Sequence, residues 1–540
     1  MSWFHRSFKV LTNGATILRR NTKSAVKTQR QFYNNNNNQG IKSNKACKLL
    51  IGTLAFAFPP FIVYKYVNCE GMEDDHKAAS EGLTLNKAIE ISRDLVQRIK
   101  DETGSPGLVV SVSIDGKEVW SEGLGFADIE NRVPCTPDTV FRIASISKSI
   151  AMALVAKQWE AGKLDLDKPI QHYVPEFPEK SLDGEKVTIT TRQLVSHLGG
   201  IRHYDKDYMK DKLNEGSKSE KQSSTSGGGA QPDQDSKEKK TSSTENKPEK
   251  NEMALKEYYI TKHYSSVKDS LSLFLNDPLV HKPGTKFLYT THGWTLISAV
   301  VEAASKEKFE VLLRRMLKDM GMHNTFLDEN SPLIYHRGRH YVKNKTGRLL
   351  NAPYVDCSYK WAGGGLLSNV HDLTRFGNIM LYSYQYRKHH TMSGSQKSRK
   401  GNEMPIIQDA QNTKDKLSIE PAEKPGYLKS ETMEIVWKPV DKTVCSWDKD
   451  ASYAMGWAVC PEKYENGECR HQRFYVSHTG GAIGGSSVLL ILPPKSQDEG
   501  NKDTYKPPKG VVVAIVVNMI SVGLNKTALE IGQVFEKVEK

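Results

Sequence analysis

Phe141-Arg142-Ile143-Ala144-Ser145-Ile146-Ser147-Lys148 is the stretch whose reading decides the fold. It stands directly before SIAMALVAKQWEAGKLDLD (149–167), whose apolar spacing predicts a helix. With Ser145 at the start of that helix, Lys148 falls one turn on and on the same face. A serine hydroxyl is a weak nucleophile until a neighbouring base takes its proton. A lysine amine kept uncharged by burial can be that base, and the helix N-terminus favours negative charge developing beside it. Ser-x-x-Lys alone recurs by chance, and an N-capping serine with a solvated lysine is the plain alternative. What surrounds the motif gives it weight.

Upstream, Leu85, Ala88, Ile89, Ser92, Leu95, Val96 and Ile99 form a stripe of helical period. Pro106-Gly107 then opens the β-branched run LVVSVSI, followed by Asp115-Gly116 and KEVW, the signature of a tight hairpin. Far downstream, Val488 to Pro493 and Val511 to Met519 read as central strands, and Lys526 to Val538 as a closing helix. Strands at both ends with helix-rich sequence between them predict an α+β fold. Two polar runs interrupt it, Asn214 to Glu252 and Tyr384 to about Glu423, and both read as disordered insertions.

Three further elements recur in order with the serine motif. The stretches PDTVFRIASISKS (137–149), Leu154 to Ile170 and Thr190 to Ile201 frame the serine helix. Pro283 to Trp294 contains Tyr289-Thr290-Thr291, and Val476 to Gly485 contains His478-Thr479-Gly480-Gly481. On these residues the sequence resembles the serine β-lactamases, penicillin-binding proteins and related esterases, whose serine motif is Ser-x-x-Lys. The resemblance covers residues 84–540 apart from the two polar runs. It implies a β-lactamase/transpeptidase-like fold, an antiparallel sheet flanked by helices with a helical subdomain.

The resemblance also assigns roles. Tyr289 maps onto a tyrosine that shares protons with the serine and lysine and can protonate the leaving group. Thr291 stands where asparagine is usual; its hydroxyl reaches less far and lacks an amide. His478 replaces the lysine of a Lys-Thr-Gly edge strand, with Thr479 and Gly480 completing the triplet. A lysine there holds a fixed positive charge for a substrate carboxylate, whereas histidine ordinarily titrates near neutrality, so poor β-lactam hydrolysis is expected. The N–H groups of Ser145 and Gly481 are the implied oxyanion donors. Trp361 to Ser368, His371-Asp372-Leu373 and Tyr453 to Trp457 match fold-bearing segments, and His197 reads as a loop-ordering residue. No cofactor or metal is implied.

The net charge of +13 is not spread over the chain. Residues 1–69 hold eleven Lys or Arg and no Asp or Glu, which leaves 65 basic against 63 acidic residues in the rest. A nearly neutral body argues against a nucleic-acid partner. Basic, Ser-containing, acid-free sequence over 1–48 reads as a mitochondrial transit segment. Residues 49–67 (LLIGTLAFAFPPFIVYKYV) read as a membrane anchor: sixteen uncharged residues precede Lys65, flanked by Lys48 and by Tyr64 and Tyr66. Acidic residues from Glu70 to Asp75 follow, which places the body across the inner membrane from the matrix, in the intermembrane space. Seven cysteines are too few for a disulfide scaffold; Cys445, Cys460 and Cys469 allow one bridge with the pairing open.

Within that family, an N-terminal address and anchor point to the eukaryotic mitochondrial members. That resemblance implies a serine peptidase acting through an acyl-enzyme, linked to mitochondrial lipid metabolism and assembling into homo-oligomers or filaments. Two other readings stand beside it: an esterase on the same site, and a membrane scaffold with secondary catalysis.

Overall fold

Strands buried on both faces read as unbroken apolar runs, and the two downstream runs take that place in the structure, a computed structural model. It describes residues 83–204, 256–344, 346–393, 426–465, 470–495 and 508–539. The main sheet has eight strands, all antiparallel. In chain order they are β1 (Gly107–Ile114), β2 (Lys117–Asp128), β3 (Val133–Pro134), β4 (Ser452–Tyr453), β5 (Ala458–Cys460), β6 (Tyr475–Ala482), β7 (Gly485–Leu492) and β8 (Val511–Val517). Their spatial order is β4-β5-β6-β7-β8-β1-β2-β3.

Alternation along the central strands divides the core. Val109, Leu489, Ile491, Val512, Ala514 and Val516 face one side, which the long helix Val370–Ser393 covers. Leu108, Val110, Val488, Leu490, Val513 and Ile515 face the other, under α1 (Leu85–Thr103) and the closing helix Asn525–Glu536. Each such valine, leucine or isoleucine contributes about 1.5–3 kcal/mol relative to exposure. Both ends of α1 are sealed: Thr84 accepts from the Lys87 N–H, and Gly104 closes the helix in the left-handed region at φ 63°. The expected hairpin is present, with Asp115 and Gly116 at φ 50° and 83°.

The intervening sequence builds the helical part: α2 (Ile146–Glu160), α3 (Thr291–Ser305) and α4 (Trp361–Gly364) pack on one another. A small sheet joins it to the serine motif. Leu366–Ser368 pairs with Phe141–Arg142 on one edge and with Phe326–Leu327 on the other.

The second insertion, expected to open at Tyr384, does not begin there: the helix continues to Ser393. Tyr384 packs its ring 4.9 Å from that of Trp437, and Gln385 exchanges two 2.8 Å hydrogen bonds with the Lys509 backbone. Residues 384–393 are polar in composition yet hold no Gly or Pro, so nothing in them stops a helix before Gly394. The rest of that insertion, the insertion at 214–252, the transit segment 1–48 and the anchor 49–67 lie outside the described residues. Among the described residues no helix is long and apolar enough to cross a membrane. Cys445 and Cys460 are free buried thiols; Cys469 lies outside the described residues.

Candidate active site

The turn into α2 is set by backbone contacts. The Ile143 N–H donates to the Leu366 carbonyl at 3.1 Å, and Ala144 takes the left-handed conformation at φ 48°. That conformation is costly for a residue with a Cβ, and it swings the next residue to the head of the helix. Ser145 occupies the N-cap position, yet its hydroxyl makes no capping bond. The capping alternative raised by the sequence is therefore set aside.

The hydroxyl meets Lys148 instead. The Lys148 side chain is fully buried, its Nζ is 3.0 Å from Ser145 Oγ, and it also donates to the Gly363 carbonyl of α4. Burial pushes the amine far below the ordinary lysine range, and the positive charge of Lys360 pushes it further. An uncharged amine with one N–H committed to Gly363 keeps its lone pair for the serine proton.

Tyr289 is half-buried on the loop leading into α3, with its ring centroid 4.8 Å from Lys148 Nζ. His197 organises that loop. Its Nδ1 accepts from the Thr290 N–H at 3.0 Å, its carbonyl accepts from the Leu288 N–H, and its ring lies 4.2 Å from that of Tyr289. Burial holds its imidazole well below the ordinary histidine range, so the loop-ordering reading of this residue fits the contacts. Thr291 opens α3, but it is buried, with its methyl against Gly363 and its N–H donating to His203 Nδ1 at 3.3 Å. It packs beneath the site instead of reaching out as an asparagine would.

On the sheet side, β6 runs past the serine turn. A Cβ on Gly480 would sit 2.3 Å from both the Ile143 carbonyl and Ser487 Oγ, so the strand can lie this close only as glycine. Beyond Ser477, β6 is paired among the described residues with β7 alone, leaving its other edge without a strand partner there. Alternate residues of an antiparallel strand direct their N–H and C=O groups to opposite edges. Counted from the two-residue turn that closes the Ala482–Gly485 pair, Gly481 and Thr479 face the open edge. Gly481 is exposed, and the space where its Cβ would lie is empty.

His478 departs from expectation. It is fully buried: Nδ1 donates to the Thr479 carbonyl at 2.7 Å, and Nε2 lies 2.9 Å from the Tyr453 hydroxyl. Because the carbonyl can only accept, Nδ1 carries the proton and Nε2 accepts from Tyr453. Burial, with the Lys148 charge as second cause, lowers its pKa to about 3. The expected titration near neutrality is thus replaced by a permanently neutral imidazole.

Ser145, Lys148, Tyr289, His478, Thr479, Gly480 and Gly481 converge; Thr291 stays under them. Sequence reading missed Tyr453, the Gly363 carbonyl and Lys360. All three lie in or beside Tyr453 to Trp457 and Trp361 to Ser368, whose family match speaks for the fold and not for the chemistry. Among the described residues no group of His, Cys, Asp and Glu is arranged to hold a metal.

Comparison with known proteins agrees with this architecture. The Beta-lactamase family model matches residues 93–520. The mitochondrial serine beta-lactamase-like protein LACTB of Mus musculus is 50% identical over 475 residues, spanning 84% of this chain and 81% of its own length. Among solved structures, the octameric penicillin-binding protein homologue from Pyrococcus abyssi superposes with a TM-score of 0.52 at 20% identity, over 82% of this chain and 77% of that one. EstCE1, a hydrolase with promiscuous acyltransferase activity, gives 0.56 at 15% identity, over 84% and 99%. At such identities the superpositions speak for the fold, while the family model and the mouse relative speak for descent: the chain belongs to the β-lactamase family.

Proposed function

We propose that the protein is a mitochondrial serine hydrolase that works through an acyl-enzyme on Ser145. The observation that carries this reading is the 3.0 Å approach of the fully buried Lys148 amine to the Ser145 hydroxyl; burial holds that amine well below the ordinary lysine range. Lys148 accepts the hydroxyl proton as Ser145 attacks a carbonyl carbon. The N–H groups of Ser145 and Gly481 take the oxyanion, each such donor worth about 2.7–4 kcal/mol in the transition state. Tyr289, beside the amine, passes the proton to the leaving group, and water then releases the acyl chain along the reverse path.

A peptide is the proposed substrate, with an ester as the second reading. The unpaired edge of β6 favours the peptide, since an extended chain can add to it through backbone hydrogen bonds. His478, neutral at physiological pH, supplies no charge for a substrate carboxylate. The resemblance further supports residues 1–48 as transit segment and 49–67 as inner-membrane anchor. It also supports a body at 84–540 in the intermembrane space, self-assembly, and a link to mitochondrial lipid metabolism. A scaffold role can coexist with this chemistry.

The test is covalent labelling of the full-length protein with a fluorophosphonate probe. Labelling that disappears in Ser145→Ala and in Lys148→Ala is the expected result. Folded wild-type protein that stays unlabelled would sink the reading and leave the scaffold.

A further inference from the structure

Arg202 is a buried guanidinium that the chemistry above does not use, and every donor it has is taken up by its surroundings. Its Nε donates to Asp277 at 2.5 Å. Nη1 donates to Glu257 at 2.8 Å and to the His203 carbonyl at 2.6 Å. Nη2 donates to Glu257 at 3.0 Å and to the Leu273 carbonyl at 2.9 Å. An arginine side chain has five N–H donors, so all of them are placed. Only a planar fork meets this set; a lysine ammonium brings three donors on a point charge. The carboxylate is nearly as enclosed as its partner, with Arg202 2% and Glu257 9% exposed.

What this pair holds is the turn that carries Tyr289. The Arg202 carbonyl accepts from Thr290 Oγ1 at 2.6 Å, and Thr290 is both the residue after Tyr289 and the N-cap of α3. At the second position of α3, the fully buried His292 sets Nε2 3.0 Å from Glu257 Oε2. An ionised carboxylate only accepts, so Nε2 carries the proton. The bonds close a ring. It runs from Thr290 to the Arg202 carbonyl, through the guanidinium to Glu257, and back through His292 to the helix. Burial works against the Glu257 charge, yet the bonds from His292 and Arg202 bring its carboxyl down to about 2. The first polar run lies between Arg202 and Glu257 in sequence, so the ring also joins the two flanks of that run.

We propose that Arg202, together with Glu257, is a positioning residue for Tyr289: the closed ring fixes the turn at Thr290, so that the phenol stays beside Lys148 and delivers a proton to the leaving group. The inference rests on the proposed acyl-enzyme reading. In that step Ser145 Oγ bonds to the substrate carbon and the bond to the leaving group breaks. The serine proton travels by Lys148 and Tyr289 to the departing atom. A weakly basic group departs without that proton, whereas a strongly basic one needs it in the transition state. Loosening the ring therefore slows the reaction in proportion to the basicity of what leaves, which a general loss of structure would not do.

The test is the rate at which aryl phosphonate probes label Ser145 in full-length protein, with departing phenols graded from nitrophenol to unsubstituted phenol. Arg202→Lys and Glu257→Gln should react normally with the nitrophenyl probe and about 10²-fold more slowly with the phenyl probe. Tyr289→Phe should show the same trend. Thr290→Val removes the hydroxyl link while keeping the shape and should follow them, and Thr290→Ser should restore the rate. Equal slowing for every phenol in folded variants, or no slowing, overturns the proposal. Should the Arg202 and Glu257 variants give no folded protein, the Thr290 pair decides, and a loss in Thr290→Val that is independent of the phenol overturns it. Wild-type protein that a fluorophosphonate never labels removes the acyl-enzyme reading instead. A Tyr289→Phe variant indifferent to the phenol removes the acid role, and the proposal falls with it.

Discussion

The Tyr453 hydroxyl donates to Nε2 of His478 across 2.9 Å, while Nδ1 of the same ring donates to the Thr479 carbonyl. Both nitrogens are spoken for, and the ring is sealed from water. The position that resembles a lysine site is thereby built as a neutral strut. Tyr453→Phe should leave a buried acceptor unpaired and cost about 1–3 kcal/mol in denaturant unfolding. An unchanged midpoint would mean that water replaces the phenol.

The same packing predicts that His478→Lys will not make a β-lactamase. An ammonium there has the Tyr453 oxygen for a partner, no carboxylate in the histidine's hydrogen-bond set, and no access to water. The expected outcome is lower stability with hydrolysis of a chromogenic β-lactam still at background. Appearance of hydrolysis would show that the lost charge alone had set substrate class.

Lys148 is expected to act as a base and not as a fixed cation. Lys148→Arg puts a permanent cation in place of the amine and cannot take up the serine proton, so acylation should fall by roughly 10²–10⁴-fold, as with Lys148→Ala. Retention of most activity in the arginine variant, read by probe-labelling kinetics, would contradict the role.

Stability should decline with acid earlier than carboxylates alone require. His478 and His340 have folded pKa values lowered to about 3 by burial, against an ordinary value of 6.5. A depressed folded pKa gives stability that is present above 6.5 and lost as pH falls toward 3, because the unfolded chain binds the proton first. Each histidine should remove about 1.4 kcal/mol per pH unit in that window. Chemical denaturation across this range checks the slope; His340→Asn or His478→Asn should flatten it.

Gly480 and Gly481 should separate packing from chemistry. Gly480→Ala drives a Cβ into the Ile143 carbonyl and Ser487 Oγ, and should cost about 1–3 kcal/mol together with most of the labelling rate. Gly481→Ala places its methyl in open space, so folding should be unaffected while bulky acyl groups are discriminated against. Thermal melts and a substrate series distinguish the two.

Much of this was legible because it is local. The Ser145–Lys148 spacing, the Asp115-Gly116 turn and the doubly buried runs of β7 and β8 each follow from a few consecutive residues. What was not legible depends on burial and on distant partners. No short window tells that His478 will be enclosed by Tyr453, or that Lys360 will find three tyrosines separated from it by up to 156 positions along the chain. The helix through Tyr384 and Gln385 was hidden for the same reason: its anchors are Trp437 and Lys509.

Ser145 and the strand β6 that runs past it come from opposite ends of the folded chain. Ser487 bonds the Ile143 carbonyl, Arg142 donates to the Ile483 carbonyl, and β1 finds its neighbour in β8, the last strand. Such pairings form late and slowly. A chain emerging N-terminus first therefore carries Ser145 through most of its synthesis beside a gap where the sheet will be. On the proposed chemistry, a chain that stops short of β6 and β7 lacks the Gly481 donor and the Ser487 bond to the Ile143 carbonyl, so it should not be labelled at Ser145.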